Sequence, residues 1–196
     1  LMASISRRAQ SVDSSGIRKV FDLASRLKNP INLSIGQPDF DTFDEIKQGA
    51  IAAINGGKNS YTQTQGIEPL REKLRARYQL SRFEDLDVFL TSGVSGGIFL
   101  AFMATLDPGD EILIPDPFFC IYRDLARLIH AEPKFYDCYP DFRLRVERVE
   151  AQITSKTRAL LVNSPCNPTG YASSQAELDQ LIDLARRHNL WLIYDE

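Results

Sequence analysis

The sequence predicts an α/β fold with a mostly parallel sheet flanked by helices on both faces. Three observations lead there. From about residue 88 onward, short apolar runs alternate with amphipathic stretches of helical spacing. The runs end in Gly-, Pro- or Asn-rich turns, at Thr91 to Gly97, Pro115 to Phe119 and Asn163 to Gly170. At 196 residues and 43% hydrophobic content, the chain can bury one sizeable core but is too short for two full α/β domains.

Taken in order, residues 1–29 read as a polar arm rich in Ser and Arg, with a short helical pattern at Ile17 to Leu27. Ile31 to Ile35 reads as a strand before the turn Gly36-Gln37-Pro38-Asp39. Thr42 and Glu45 have capping-box spacing, and Ile46, Ala50, Ala53 and Ile54 continue a helix that Asn55-Gly56-Gly57 ends. Pro69 suits the first turn of the next helix, which carries Leu70 and Leu74 on one face. The expected strands are then Val88 to Thr91, Glu111 to Ile114, Lys134 to Cys138, Arg158 to Asn163 and a closing run at Leu190 to Tyr194. Between them, helices are expected at Val94 to Leu106, Phe118 to His130 and Val146 to Ile153. A last helix follows the Ser174/Glu177 capping box, with Leu178, Leu181, Ile182 and Ala185 on one face.

Composition removes several function classes. The net charge is −3 with no block of like charge, so nothing points to nucleic acid or an anionic membrane surface. Every apolar run is interrupted by Glu, Asp or Arg before it could span a bilayer, and Arg7 and Arg8 lack the apolar segment of a signal peptide. Cys120, Cys138 and Cys166 are an odd number without metal spacing, which favours a reduced, cytoplasmic setting and no metal.

The chemistry gathers at the turns. The turn Thr91-Ser92-Gly93-Val94-Ser95-Gly96-Gly97 leads into an apolar helix, whose first N–H groups and dipole would receive an anion such as a phosphate monoester; a glycine-permissive tight turn is an equally good account of it alone. It has neither the Lys of a Walker A loop nor the dinucleotide fingerprint. Two prolines in Pro115-Asp116-Pro117-Phe118-Phe119 hold an irregular turn that offers an aromatic face to a flat heterocycle, though such a ring more often fills the core. In Asn163-Ser164-Pro165-Cys166-Asn167-Pro168-Thr169-Gly170, the X-Pro steps keep the backbone extended and leave the Asn167 amide at the sheet edge, able to donate to a ring oxygen. Asp195 ends the last strand, where its carboxylate could pair with a protonated ring nitrogen or cap a following helix.

Together with Ile31 to Phe40, Tyr61-Thr62-Gln63-Thr64-Gln65-Gly66-Ile67 and Leu70-Arg71, these segments resemble the class I/II aminotransferases, the aspartate-aminotransferase-like fold type I pyridoxal 5'-phosphate enzymes. The resemblance runs from about Gly16 to Glu196 and matches the amino-terminal half of that family. It implies an arm at 1–29 and a partial cofactor-binding large domain at 30–196. It also implies that Gly93, Val94 and Ser95 hold the cofactor phosphate, that Phe119 stacks on the pyridine ring, and that Asn167 bonds the ring 3-oxygen. Asp195 would pair with the ring nitrogen and tune the electron sink, making Asp195 and Asn167 the catalytic pair. Gly36 and Ile17 would lie at the substrate, and Tyr61 would reach the phosphate of a partner subunit, which implies a homodimer with shared sites. The substrates would be an amino acid and a 2-oxo acid.

In that family the Schiff-base lysine and the carboxylate-gripping arginine come after the Asp195 position. None of Lys19, Lys28, Lys47, Lys58, Lys73, Lys134 or Lys156 has that context. The expectation is therefore an aminotransferase seen as its amino-terminal half, inactive alone. The alternatives are a non-catalytic fragment or a lyase or decarboxylase of the same fold. A DNA-binding regulator has no room for its extra domain before the first strand.

Overall fold

Alternate residues of adjacent strands feed two separate apolar clusters, and this period of two sets the architecture. The strands are β1 (Glu111–Asp116), β2 (Glu132–Asp137), β3 (Thr157–Asn163) and β4 (Trp191–Asp195). They form one sheet in the order β2-β1-β3-β4. All three pairings are parallel, with Asp116 opposite Asp137 and Asn163 opposite Asp195. The computed structural model describes residues 4–10, 23–29, 31, 36 and 38–196. Two compact units are present, one of Gly16–Thr91 and the other of Leu1–Ser15 with Ser92–Glu196.

In the second unit, helices cover both faces of the sheet. Ile112, Ile114, Ala159 and Leu161 pack with Ile98 and Phe102 of α4 (Gly93–Thr105) and with Tyr122 and Ala126 of α5 (Ile121–Leu128), joined by half-buried Phe119 and Ile193; the short helix α1 (Arg7–Gln10) also belongs to this unit. On the opposite face, Leu113, Leu160, Val162 and Leu192 meet Val149 of α6 (Val146–Glu150) and Leu181 and Leu184 of α7 (Gln175–Arg187). Each fully buried Leu or Ile contributes about 2 kcal/mol through removal from water. The α7 capping box forms as expected: the Ser174 hydroxyl accepts the Glu177 N–H while Glu177 reaches back to the Ser174 N–H.

The first unit holds α2 (Asp44–Asn55), α3 (Glu68–Arg77) and a 3-10 turn at Leu80–Arg82. Arg71 is the only residue buried in α3, and α2 buries none.

Several expectations change. Val88 to Thr91 joins no ladder; Leu90 N–H donates to the Gln65 carbonyl, and an extended segment without a paired strand is not a strand. The Thr42/Glu45 capping box does not form, because α2 starts one residue later, with Phe43 at its cap, and Asp41 takes both the Thr42 N–H at 2.7 Å and the Lys47 ammonium at 2.6 Å. Residues 118–120 stay outside α5, since Phe118 turns inward to stack on Phe135, with ring centroids 4.9 Å apart. The helix expected to reach Ile153 ends at Glu150. The strand at Ile31 to Ile35 and the helical pattern from Ile17 fall mainly outside the described residues.

Candidate functional site

Parallel strands deliver their last residues to one edge, and here that edge carries Asp116, Asn163 and Asp195. Asn163 and Asp195 share the face on which α4 and α5 pack, because they continue the Ala159–Leu161 and Ile193 alternation. Asp195 is held from two directions. The Tyr122 hydroxyl, rising from α5, donates a short hydrogen bond to its Oδ2. Its main-chain carbonyl accepts the Ser164 N–H at 3.0 Å and the Asn163 side-chain amide at 3.0 Å.

Burial above all, and then the Asp195 contact, pushes the Tyr122 phenol well above the ordinary tyrosine range, so the hydroxyl is a fixed donor at neutral pH. Phe119 meets the Tyr122 ring edge-on, with centroids 5.8 Å apart. Phe119 packs against the core cluster and stands beside the tyrosine that holds Asp195.

The loop after β3 is closed rather than extended. Gly170 N–H reaches the Cys166 carbonyl at 2.7 Å, and Cys166 N–H reaches the Tyr171 carbonyl at 2.8 Å. Asn167 is exposed, and its backbone N–H donates to Oδ1 of Asn163 at 2.7 Å. This corrects the extended backbone expected from the X-Pro steps: the buried Asn163 amide supplies an acceptor that draws the loop back onto the sheet.

Gly93, Val94 and Ser95 form the exposed first turn of α4. Gly93 has a positive φ of 68° that glycine tolerates, and Ser92 provides no side-chain cap to this helix start. The helix reaches the same face of the sheet through Ile98 and Phe102. Asp195, Asn167 and Phe119 are thus brought together through Tyr122 and Asn163, with the Gly93–Ser95 turn on a helix of that face. Tyr61 and Gly36 lie in the other unit, both exposed, with open space around the Gly36 Cα, and Ile17 lies outside the described residues.

Two residues of this arrangement escaped sequence reasoning. Tyr122 sits at core spacing on a helix, and Asn163 reads as the end of a strand. The one available signal for Tyr122 was its position three residues after Phe119, one helical turn on.

Among the described residues no cluster of His, Cys, Asp or Glu could hold a metal ion, and no helix is long and apolar enough to cross a membrane. What this face offers is a carboxylate, an exposed amide, an aromatic ring and a helix whose N-cap Ser92 makes no side-chain hydrogen bond. That donor set is complementary to a flat heterocycle bearing a protonated nitrogen, an oxygen substituent and a phosphate.

Comparison with known proteins finds one family. The sequence profile of Aminotransferase class I and II matches residues 28–196. A probable aspartate aminotransferase of Methanocaldococcus jannaschii is 37% identical over 98% of this chain and 52% of its own length. An aromatic-amino-acid aminotransferase of Thermococcus litoralis is 36% identical over 98% of this chain and 51% of its own. The solved aspartate aminotransferase of Thermus thermophilus with maleate superposes with a TM-score of 0.91 at 34% identity, over 100% of this chain and 53% of that one. The chain spans about half the length of the relatives it matches.

Proposed function

Since the chain belongs to the class I and II aminotransferase family, whose enzymes use pyridoxal 5'-phosphate, we propose that the full-length protein moves an amino group between an amino acid and a 2-oxo acid. The observation that supports it most is the placement of Asp195 at the carboxyl edge, gripped by Tyr122 through its carboxylate and by Asn163 through its carbonyl.

When bound, pyridoxal phosphate supplies a ring that accepts the electrons of a bond broken at the substrate α-carbon. The work of this chain is to hold that ring. Asp195 pairs with the ring nitrogen and keeps its proton in place, because opposite charges favour both ionised forms. Asn167 donates to the ring oxygen, Phe119 covers one ring face and excludes water from it, and the N–H groups of Gly93, Val94 and Ser95 with the Ser95 hydroxyl receive the phosphate. Asp195 and Asn167 are the catalytic residues of this half.

Gly36 and Ile17 are assigned to the substrate side and Tyr61 to the phosphate of a partner subunit, in a cytoplasmic homodimer. Supporting an assembly, α4 is apolar on all sides yet leaves Val94, Leu100 and Met103 about half exposed. Residues 1–29 are read as an arm and 30–196 as part of the cofactor-binding domain. The anchoring lysine is assigned to the portion of the relatives that this match does not cover, so the 196-residue chain alone is expected to show no turnover with added pyridoxal phosphate.

The deciding experiment supplies pyridoxal phosphate and pairs of amino and 2-oxo acids to the full-length protein and follows the amino group by mass. Transfer to the 2-oxo acid is expected, falling about a hundredfold in Asp195→Asn, which loses the charge partner of the ring nitrogen. Cofactor binding with elimination or decarboxylation products instead would replace transamination by lyase chemistry on the same fold.

A further inference from the structure

We infer that Asn163 is a positioning residue, whose side-chain amide locks Asn167 to Asp195 so that two groups meeting the cofactor ring move as one body. What that body binds rests on the proposal above; the lock itself is a matter of three hydrogen bonds.

Asn163 closes β3 directly opposite Asp195 and is buried, with 7% of its surface exposed. A primary amide has two N–H donors and one carbonyl oxygen, and all are used here. Nδ2 donates to the Asp195 carbonyl at 3.0 Å and to the Pro165 carbonyl at 3.4 Å, while Oδ1 accepts the Asn167 N–H at 2.7 Å. One side chain thereby spans β4, the start of the loop and the loop's functional residue.

No other residue type does this at that position. Aspartate keeps the acceptor for Asn167 but loses both donors. Serine is too short to reach both, and glutamine displaces the amide by a methylene. The exposed Asn167 side chain springs from a backbone that Asn163 anchors through the Asn167 N–H. Shifts of about 1 Å in such positioning groups cost on the order of a hundredfold in rate.

Two variants of the full-length protein, Asn163→Ala and Asn163→Asp, separate the two arms of the lock. Amide exchange needs no cofactor. In Asn163→Ala, the Asn167 N–H is expected to exchange about tenfold faster, while the β3 amides of Leu160 and Leu161 stay as slow as in the parent protein. In Asn163→Asp the Asn167 N–H stays protected. Pyridoxal phosphate dissociation constants rise in both variants by about tenfold, with kcat falling more than KM for the amino acid rises.

Unchanged Asn167 exchange in Asn163→Ala overturns the lock. If that variant fails to fold, Asn163→Asp decides: cofactor affinity equal to the parent's overturns the Asp195 arm, and loss of Asn167 protection overturns the Asn167 arm. A parent protein that binds no pyridoxal phosphate but shows the exchange difference leaves the lock standing and removes the functional reading instead.

Discussion

Tyr122 donates its hydroxyl to Oδ2 of Asp195 across 73 residues of sequence, tying the first turn of α5 to the end of the edge strand β4. The tyrosine is 1% exposed, so its hydroxyl has left water and depends on this one acceptor. Tyr122→Phe is therefore expected to cost about 1–2 kcal/mol of stability. The contact also has a pH signature. The folded-state phenol titrates above its unfolded value of about 10, so its contribution is complete below pH ~10 and is lost as the pH rises further. Urea midpoints at neutral pH and above pH ~10 should converge for the parent and Tyr122→Phe; a gap that stays constant with pH would contradict the assignment.

Glu177 offers the opposite titration. Burial disfavours its charge, yet the Ser174 N–H at 2.8 Å, the Ser174 hydroxyl at 2.7 Å, the Tyr171 hydroxyl at 2.8 Å and Arg143 at 3.0 Å together outweigh that and hold the carboxyl at about 2. A folded value below the ordinary 4.5 means stability that is present above that pH and disappears as the pH falls toward about 2. Glu177→Gln should lose about 2 kcal/mol at neutral pH and flatten the acid limb of a stability profile. Chemical unfolding at neutral pH and again near the carboxyl's titration range is the check, and an acid limb as steep as the parent's would refute the role given to Glu177.

How far these features could be read beforehand depended on how local their cause is. The Ser174/Glu177 box spans four residues and was plain from spacing, as were the parallel sheet and the place of Asp195 at the end of a strand. Val88 to Thr91 looked like a strand because a period of two is local, whereas a ladder needs a partner that spacing cannot supply. Tyr122 and Asn163 stayed hidden for the same reason. Their meaning lies in bonds closed 73 and 32 residues away, and alone a helical tyrosine reads as core and a strand-end asparagine as a turn. Asp41 takes the Thr42 N–H that the Glu45 carboxylate would have accepted in the expected box.

At Gly66, in the first unit, an added side chain would run into the Leu90 side chain. The Gly66 φ is +105°, and an added Cβ would come within 2.4 Å of the Leu90 Cδ1 atom. The Gly66 N–H bonds the Gln63 carbonyl and the Leu90 N–H bonds the Gln65 carbonyl, so the turn cannot open without breaking what holds residues 63–66 to Leu90. Gly66→Ala is expected to cost about 2 kcal/mol or more. Gly49, inside α2 with open space at its Cα, is the control: Gly49→Ala should gain about 0.5–1 kcal/mol from helix propensity. Thermal unfolding of both variants tests the pair, and equal behaviour would mean that the Leu90 contact carries no strain.

Arg71 is buried on a helix that buries nothing else, and its guanidinium is used on every side. Nε donates to the Val88 carbonyl at 3.0 Å, Nη1 to Glu68 at 2.7 Å, and Nη2 to both Asp87 oxygens at 2.6 Å. Arg75 adds a second cation to the same carboxylates, and its hydrogen bond is the largest reason the Asp87 carboxyl is held far below the usual range, followed by that of Arg71. Lysine at position 71 could keep one charge contact but not the planar fork or the Val88 bond. Arg71→Lys should therefore cost about 2 kcal/mol, whereas Arg75→Ala, removing the more exposed partner, should cost less. The loss in Arg71→Lys should concentrate at residues 87–90 and show as faster exchange of the Leu90 amide. An Arg75→Ala variant that loosens Leu90 as much as Arg71→Lys would show that charge alone, and not the fork, fastens this segment to α3.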